Sequence, residues 1–328
     1  MTIEINGMAV SQLSGERDIS LDIMKVVMAT MVVGLHGGLL KEEMPVLSHF
    51  LINGLFRVAV PTFFIITGFY LERQISQLGK KWFRRIAAML LLWTMAYSFA
   101  WFDFSSFSMI TPWIDVVTGY YHLWYLFGLL GGVAVFLAVR RLMPSSSALL
   151  TVALLMFSVG VAVQYAGNWH LVDDPWWDRK LNGAKYYRNF LFFAFPFVAA
   201  GVLIARHEDR LGSIVAAVPV LLPAALVLLM VECGLNYYLN EPDGFDIYVT
   251  LIVVCPLLFL AARQGGIQGS GKTIALVATC IFLLHPMIQM LMDRHVELGG
   301  TVRTLISLAI AIALAPAIIW LNRTLPLL

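Results

Sequence analysis

Charge is scarce in this chain of 328 residues: Asp, Glu, Lys and Arg together make up 13 % of it, about half the share usual in a soluble domain. That deficit, with 60 % hydrophobic residues and a mean hydropathy of +0.81, excludes an ordinary soluble domain and leaves an integral membrane protein. Basic runs interleaved with exposed aromatics are missing and the net charge is only +2, which sets nucleic acid aside as a partner. Cysteine is nearly absent. Cys233, Cys255 and Cys280 lie in or beside apolar segments without C-x-x-C spacing, so neither a disulfide framework nor a metal site is expected, and all three read as small buried hydrophobes. A basic n-region is also lacking ahead of the first apolar run near Ile19. That run is read as a retained span behind a polar cytoplasmic leader, residues 1–18. Internal repeats and low-complexity tracts are not seen, and residues 1–328 read as one transmembrane domain.

What the chain has in quantity is long apolar stretches. Ten of them, near 19–40, 49–71, 82–102, 120–139, 147–166, 189–205, 213–231, 247–262, 273–292 and 302–321, are long enough to cross a bilayer as helices. The fold class is therefore all-α, a polytopic membrane helix bundle of about ten spans. An even count puts both termini on one side. The loops on that side carry Arg73, Lys80, Lys81, Arg84, Arg85, Arg140, Arg141, Arg206, Arg210, Arg263, Lys272 and Arg323, so the positive-inside rule makes it cytoplasmic. The opposite loops are acidic or mixed, with Asp173, Asp174, Asp178, Glu241, Asp243, Asp246, Asp293 and Glu297. The longest of these, about 167–188, carries DDPWWDRK and is expected to cap the bundle at headgroup level, where Trp anchors well.

Ionisable groups inside spans are costly and usually mark a working interior. Lys25 and His36 lie eleven residues apart on span 1, which brings them within about 20° of the same helix face and separates them by roughly 16 Å along the axis. Asp22 precedes Lys25 at the i,i+3 spacing of a helical ion pair. Counting from the outer ends of the spans places His36, Arg57, His122, Arg188 with Asn189, and His285 in one outer-half layer drawn from five helices. At the other face, Lys80, Lys81, Arg84 and Arg85 are suited to phosphates, although positive-inside anchoring accounts for the same cluster. The string GIQGSGKT, Gly266 to Thr273, matches a P-loop but has neither the preceding strand nor the nucleotide-binding domain that motif requires. It reads as a short cytoplasmic loop whose glycines, ahead of a helix N-terminus, can assist an anion.

These residues resemble those of the acyltransferase-3 family of membrane acyltransferases. Lys25 and His36 are similar to the basic residue and His of that family's first span, with Lys in place of the more usual Arg, and Asp22 matches the acid that commonly precedes it. RVAVPTFFIITGF, Arg57 to Phe69, resembles the family's second-span pattern with Thr67 for Ser. Lys81 and Arg84 resemble its R-x-x-R at the mouth of span 3, and YHLWYL (Tyr121 to Leu126) and IFLLHP (Ile281 to Pro286) complete the set. The resemblance runs over nearly the whole chain and is closest to short stand-alone members that O-acetylate surface glycans. It implies acetyl-CoA as cytoplasmic donor, a surface or lipid-linked glycan as acceptor, and a multi-pass place in a bacterial inner membrane. Membrane lipid is a further partner, and a second copy of the chain is left open.

For the reaction that the resemblance implies, the residues suggest base catalysis. An acyl thioester is already activated, so the protein has to remove a hydroxyl proton and steady an oxyanion; His is tuned for the first near neutral pH, and His36 is assigned to it. Arg57 is assigned to the oxyanion, with Lys25 and Asp22 completing the catalytic set. An acyl-His36 intermediate is the competing route. Lys81, Arg84 and Arg85 are expected to hold the CoA nucleotide. His122, Trp124, Tyr125, Arg188 and His285 are expected on the acceptor side, although Trp124 equally suits the interfacial belt and His285-Pro286 equally suits the end of span 9. Transport of a small solute or glycan precursor is the second function class; the broken helices and repeated halves of secondary transporters are not evident in the sequence.

Overall fold

The computed structural model describes residues 17–75, 79–98, 121–240, 245–325 and 327–328. Most of the leader (1–16), the far end of the expected third span (99–102), and Glu241 and Asp243 of an outer loop lie outside the described residues. The described chain is almost entirely helical. Its elements are α1 (Ile19–Gly37), α2 (Pro45–Arg73), α3 (Lys80–Ala96), α4 (Tyr121–Leu142), α5 (Ser146–Asn168), the short α6 (Pro175–Leu181) and α7 (Ala184–Tyr187), α8 (Phe190–Arg206), α9 (Gly212–Asn240), α10 (Leu251–Gln264), α11 (Thr273–Asp293) and α12 (Gly300–Leu321). Seven of them, α1, α2, α4, α5, α9, α11 and α12, are long and apolar enough to cross a membrane. The other expected spans correspond to the shorter α3, α8 and α10.

Boundaries follow local chemistry. Asp18 accepts from Leu21 N (3.2 Å) to cap α1, and Gly38, at φ +77°, ends it in the left-handed conformation that glycine adopts most readily. Asp174, ahead of Pro175, accepts from Trp176 N and Trp177 N (2.9 and 3.0 Å), so the DDPWWDRK loop carries a helix of its own, with both indoles exposed. The expected spans 7 and 8 shift against the sequence reading. α9 runs on to Asn240, and α10 begins only at Leu251. Glu232 of α9 explains the late start: its carboxylate accepts from Val249 N (2.7 Å), Thr250 N (2.9 Å) and Thr250 Oγ1 (2.7 Å), satisfying the N-terminal amides that open α10.

One end of the bundle is laced by ion pairs. Glu72 binds Arg140 and Arg206 (2.8 Å each), Arg263 binds Asp18 (2.8 Å) and Glu208 (2.5 Å), Glu208 also binds Arg73, and Asp22 binds Lys25 (2.9 Å) and Arg17. A two-residue strand, β1 (Arg17–Asp18), pairs antiparallel with β2 (Gln268–Gly269), fastening the start of the described chain to the α10–α11 loop. Leu328 lies at the same end, its carbonyl bound by Arg85 (2.6 Å). The first and last described residues thus share the basic end, as the even span count requires, and the positive-inside rule makes that end cytoplasmic.

Where lipid supplies no hydrophobic drive, helices associate by close backbone approach at small residues. α2 and α8 do this most tightly. A Cβ on Gly68 would stand 2.0 Å from Val198 O, and one on Gly201 would stand 2.0 Å from Ile65 O. Overpacking of this kind typically costs about 1–3 kcal/mol. Gly68→Leu and Gly201→Leu should each lower the apparent melting temperature of the detergent-solubilised protein, while Gly212→Ala, where nothing lies within 4 Å, should leave it unchanged.

Candidate active site

Three imidazoles meet near the end of the bundle opposite the basic loops. His36 occupies the last turn of α1, its Nδ1 2.9 Å from Tyr121 Oη. Its ring centroid is 5.4 Å from that of His285 on α11, which in turn is 5.7 Å from that of His122, at the start of α4. Tyr121 holds φ at +52°, a conformation aromatic residues seldom adopt and one that concentrates at functional sites. His122 and His285 are almost wholly buried (2 % and 0 % exposed), whereas Tyr121 is 45 % exposed, so the layer opens past Tyr121 toward the outer face.

Pro286 sets the orientation of His285. The helix does not end at this proline, as the sequence allowed; it runs through to Asp293 because Tyr97 repairs the ladder, donating from Oη to Leu283 O (2.8 Å) and accepting from Met287 N (3.0 Å). His285 Nδ1 lies 2.9 Å from Ile281 O. A carbonyl only accepts, so Nδ1 carries the hydrogen, and in the neutral ring Nε2 is a bare lone pair. That Nε2 and both ring nitrogens of His122 are buried without a hydrogen-bond partner among the described residues.

Beside the histidines lies an ionic cluster that the sequence did not reveal. Asp246, in the stretch before α10, accepts from Arg57 and from Arg188 (3.0 Å), and Arg57 also donates to Asn53 Oδ1 (2.8 Å). Gln164 Oε1 anchors the acid's backbone by accepting from Asp246 N (3.1 Å) and Ile247 N (2.9 Å). Each arginine lies next to a π-helical turn: Phe50–Gly54 precedes Arg57 within α2, and Arg188 caps α7 just before the π-turn Phe190–Ala194. The Arg188 guanidinium lies 4.8 Å from the centroid of the Trp124 ring, covering a face expected to be free for a sugar.

A cavity of about 590 Å³ opens at the basic end. Arg17, Lys25, Arg85 and Lys272 line its mouth, apolar residues of α2, α3, α4 and α11 its walls, and Phe63, Tyr125 and Phe282 lie at its inner part. Phe282 also packs on His122 and His285, at centroid distances of 5.5 and 6.3 Å, so the cavity points at the histidine layer. Arg17 and Lys25 share Asp22, Arg85 binds the main-chain oxygen of Leu328, and Lys272 forms no ion pair among the described residues. With the N-terminus of α11 beside Lys272, the mouth is built for anionic groups.

Residues 18–321 match the family model Acyl_transf_3, described as an acyltransferase domain. The chain belongs to the acyltransferase-3 family. Its long apolar helices make it a multi-pass membrane protein. Among curated proteins it is similar to an amino-acid racemase of Enterococcus faecalis, 22 % identical over 289 residues, and to a serine/alanine racemase of Enterococcus gallinarum, 23 % identical over 295 residues. Those alignments take in 82 % and 81 % of this chain but 40 % of each relative, so the chain spans less than half the length of either. No solved structure matches it.

Set against this acyltransferase frame, the sequence-derived site residues divide into two groups at opposite ends. His36, His122 and His285 come together, and Arg57 and Arg188 meet on Asp246. Lys25 and Asp22 sit at the basic end of α1, about 16 and 21 Å from His36 along the axis, and Lys25, held by Asp22, lines the mouth. Lys81 and Arg84 are exposed and do not line the cavity; Arg85 does. Tyr125 lies on the cavity rather than beyond the histidines. Arg17, Lys272, Tyr121 and Asp246 were missed. Only Asp246 left a signal, as an acid at the outer edge of a span facing two unpaired intramembrane arginines. Removing one partner from a buried ionic cluster costs about 3–5 kcal/mol. Asp246→Ala, which strands both guanidiniums, should sharply lower the melting temperature and the yield of monodisperse protein, and Asp246→Glu should restore part of the loss.

Proposed function

We propose that the protein transfers an acetyl group from cytoplasmic acetyl-CoA to a hydroxyl of a surface or lipid-linked glycan in a bacterial inner membrane, with His36 as general base. The observation that carries this reading is the cavity with a cationic mouth at one end of the bundle and an imidazole layer just beyond its other end. Its residues suit a CoA thioester. Arg17, Lys25, Arg85 and Lys272 match the phosphates, the apolar walls match the pantetheine arm, and the aromatic inner part matches a small acyl group.

His36 stands beside Tyr121, on the side open to the outer face, where an acceptor hydroxyl would arrive. When Nδ1–H donates to Tyr121 Oη, Nε2 is left as the base. As the acceptor oxygen bonds to the thioester carbonyl carbon, its proton passes to His36. The C–S bond then breaks, and the thiolate leaves down the cavity and is protonated there. Arg57 and Arg188, both near enough to act on the charge of His36, keep that flank of the site positive although they share one carboxylate. The racemase names belong to proteins more than twice as long and are not carried over to this chain.

Purified protein in nanodiscs, given radiolabelled acetyl-CoA and a panel of lipid-linked and polymeric glycans, tests the proposal. His36→Ala should abolish label transfer while acetyl-CoA still binds; transfer that persists in this variant would remove His36 from the mechanism, and solute uptake into liposomes without donor consumption would replace the enzyme by a transporter. The donor mouth is tested separately. Arg85→Gln and Lys272→Gln should each raise the KM for acetyl-CoA about tenfold, the loss of roughly one charge-assisted contact, with kcat nearly unchanged. Lys81→Gln should change neither.

A further inference from the structure

The oxyanion of the transfer step needs a donor, and the cation assigned to it from the sequence is already engaged: Arg57 is bound to Asp246 and to Asn53. Nearer the end of the donor cavity lies a better candidate. His122 is 2 % exposed, and neither of its ring nitrogens has a hydrogen-bond partner among the described residues. An imidazole carries at least one N–H in every protonation state, so a donor is held there unused, which typically costs about 1–3 kcal/mol. Tyr97 packs against the ring (5.1 Å), but its hydroxyl group bridges the α11 ladder through Leu283 O and Met287 N. His285, 5.7 Å away, has given its Nδ1–H to Ile281 O.

Position agrees with chemistry. Phe282 lines the donor cavity and packs on His122 at 5.5 Å, so a carbonyl carried past Phe282 meets this ring. His36, the base, and His122 both neighbour His285, 5.4 and 5.7 Å from it, and both neighbour Tyr121. A reacting carbon between them would have the acceptor hydroxyl toward His36 and its own oxygen toward His122.

We propose that His122 is a catalytic residue that donates its ring N–H to the carbonyl oxygen of the donor thioester and to the oxyanion formed from it. This rests on the CoA-thioester reading above. In the step, the acceptor oxygen bonds to the carbonyl carbon, its proton passes to His36, and the C=O π pair moves onto the oxygen held by His122. When that pair returns, the C–S bond breaks and the thiolate leaves. His122 keeps its own proton throughout. Its bond strengthens as charge develops, and so it accelerates the step instead of merely tightening binding.

The test uses full-length protein in nanodiscs and whichever glycan of the panel the wild-type protein acetylates. H122F removes the donor while keeping an aromatic ring; H122M, also without a donor, carries the comparison where H122F does not give monodisperse protein; H122Q restores an N–H. Removing one such donor should lower kcat by 10²–10³-fold, with KM for acetyl-CoA within about threefold, and H122Q should regain at least about tenfold of that loss. A second readout is the infrared band of acetyl-CoA labelled with ¹³C at the carbonyl, bound without acceptor. Its frequency should be lower in the wild-type protein than in H122F or H122M. Wild-type kcat in both donor-free variants, or a fall in kcat with an unshifted carbonyl band, overturns the proposal while leaving the acyltransferase reading in place. A wild-type protein that consumes no acetyl-CoA overturns both.

Discussion

A guanidinium placed among hydrocarbon chains is costly unless it is paired, and this bundle holds two of them on a single carboxylate. Asp246 is the point on which Arg57 from α2 and Arg188 from the α7–α8 junction converge, and Gln164 of α5 holds the backbone that carries it. Three helical layers and the segment leading into α10 are therefore fixed relative to one another by one buried acid. Two guanidiniums on one carboxylate leave a net positive charge in the outer half of the bundle. The same cluster that organises the outer half of the fold thus also sets the field in which the imidazoles work.

The breaks in helical regularity have individual causes, and most of them serve the site. Pro286 deprives α11 of a ladder bond, Tyr97 inserts its hydroxyl to close the gap, and the carbonyl of Ile281 becomes the anchor for His285. α10 starts late because Glu232 reaches across from α9 to take the opening amides, leaving the preceding stretch non-helical so that Asp246 can turn inward. Tyr165, which donates to Glu232, secures that reach. Glycine pairs make the opposite contribution, letting α2 and α8 approach closely enough that Arg57 and Arg188 reach one acid.

Much of this was legible in the sequence because hydrophobic length and helical period survive translation into three dimensions. Apart from the shifted seventh and eighth spans, the apolar stretches within the described residues appear as helices near their expected places, and the eleven-residue spacing of Lys25 and His36 does put both on the interior face, one at each end of α1. The layer of His36, His122 and His285 was readable from depth alone. What escaped is what depends on non-helical backbone. Asp246 looked like one acid among several in an outer loop, and nothing in YHLWYL signals that Tyr121 takes a left-handed conformation to face His36. The donor mouth escaped for a different reason. At the entry of α3, helical phase separates Arg85 from Arg84 and one further turn of depth separates it from Lys81, so Arg85 alone of the four neighbouring cations lines the cavity. Lys272, hidden inside a string that imitates a P-loop, gained its place from the β1–β2 pairing that fixes the α10–α11 loop against the start of α1.

The polarity of the bundle also bears on how a thioester escapes water. Phe63, Tyr125 and Phe282 pack edge to face, at centroid distances between 5.2 and 5.9 Å, where the cavity approaches the histidines. On the acyl-CoA reading proposed above, an aromatic collar at that point would admit a thin acyl-pantetheine end and limit bulk solvent, and exclusion of water both protects an activated ester and strengthens every hydrogen bond made to developing charge. The partnerless nitrogens of His122 and His285 are a cost carried by the resting fold, and on the proposed reaction that cost would be recovered when the reacting carbonyl and hydroxyl are bound.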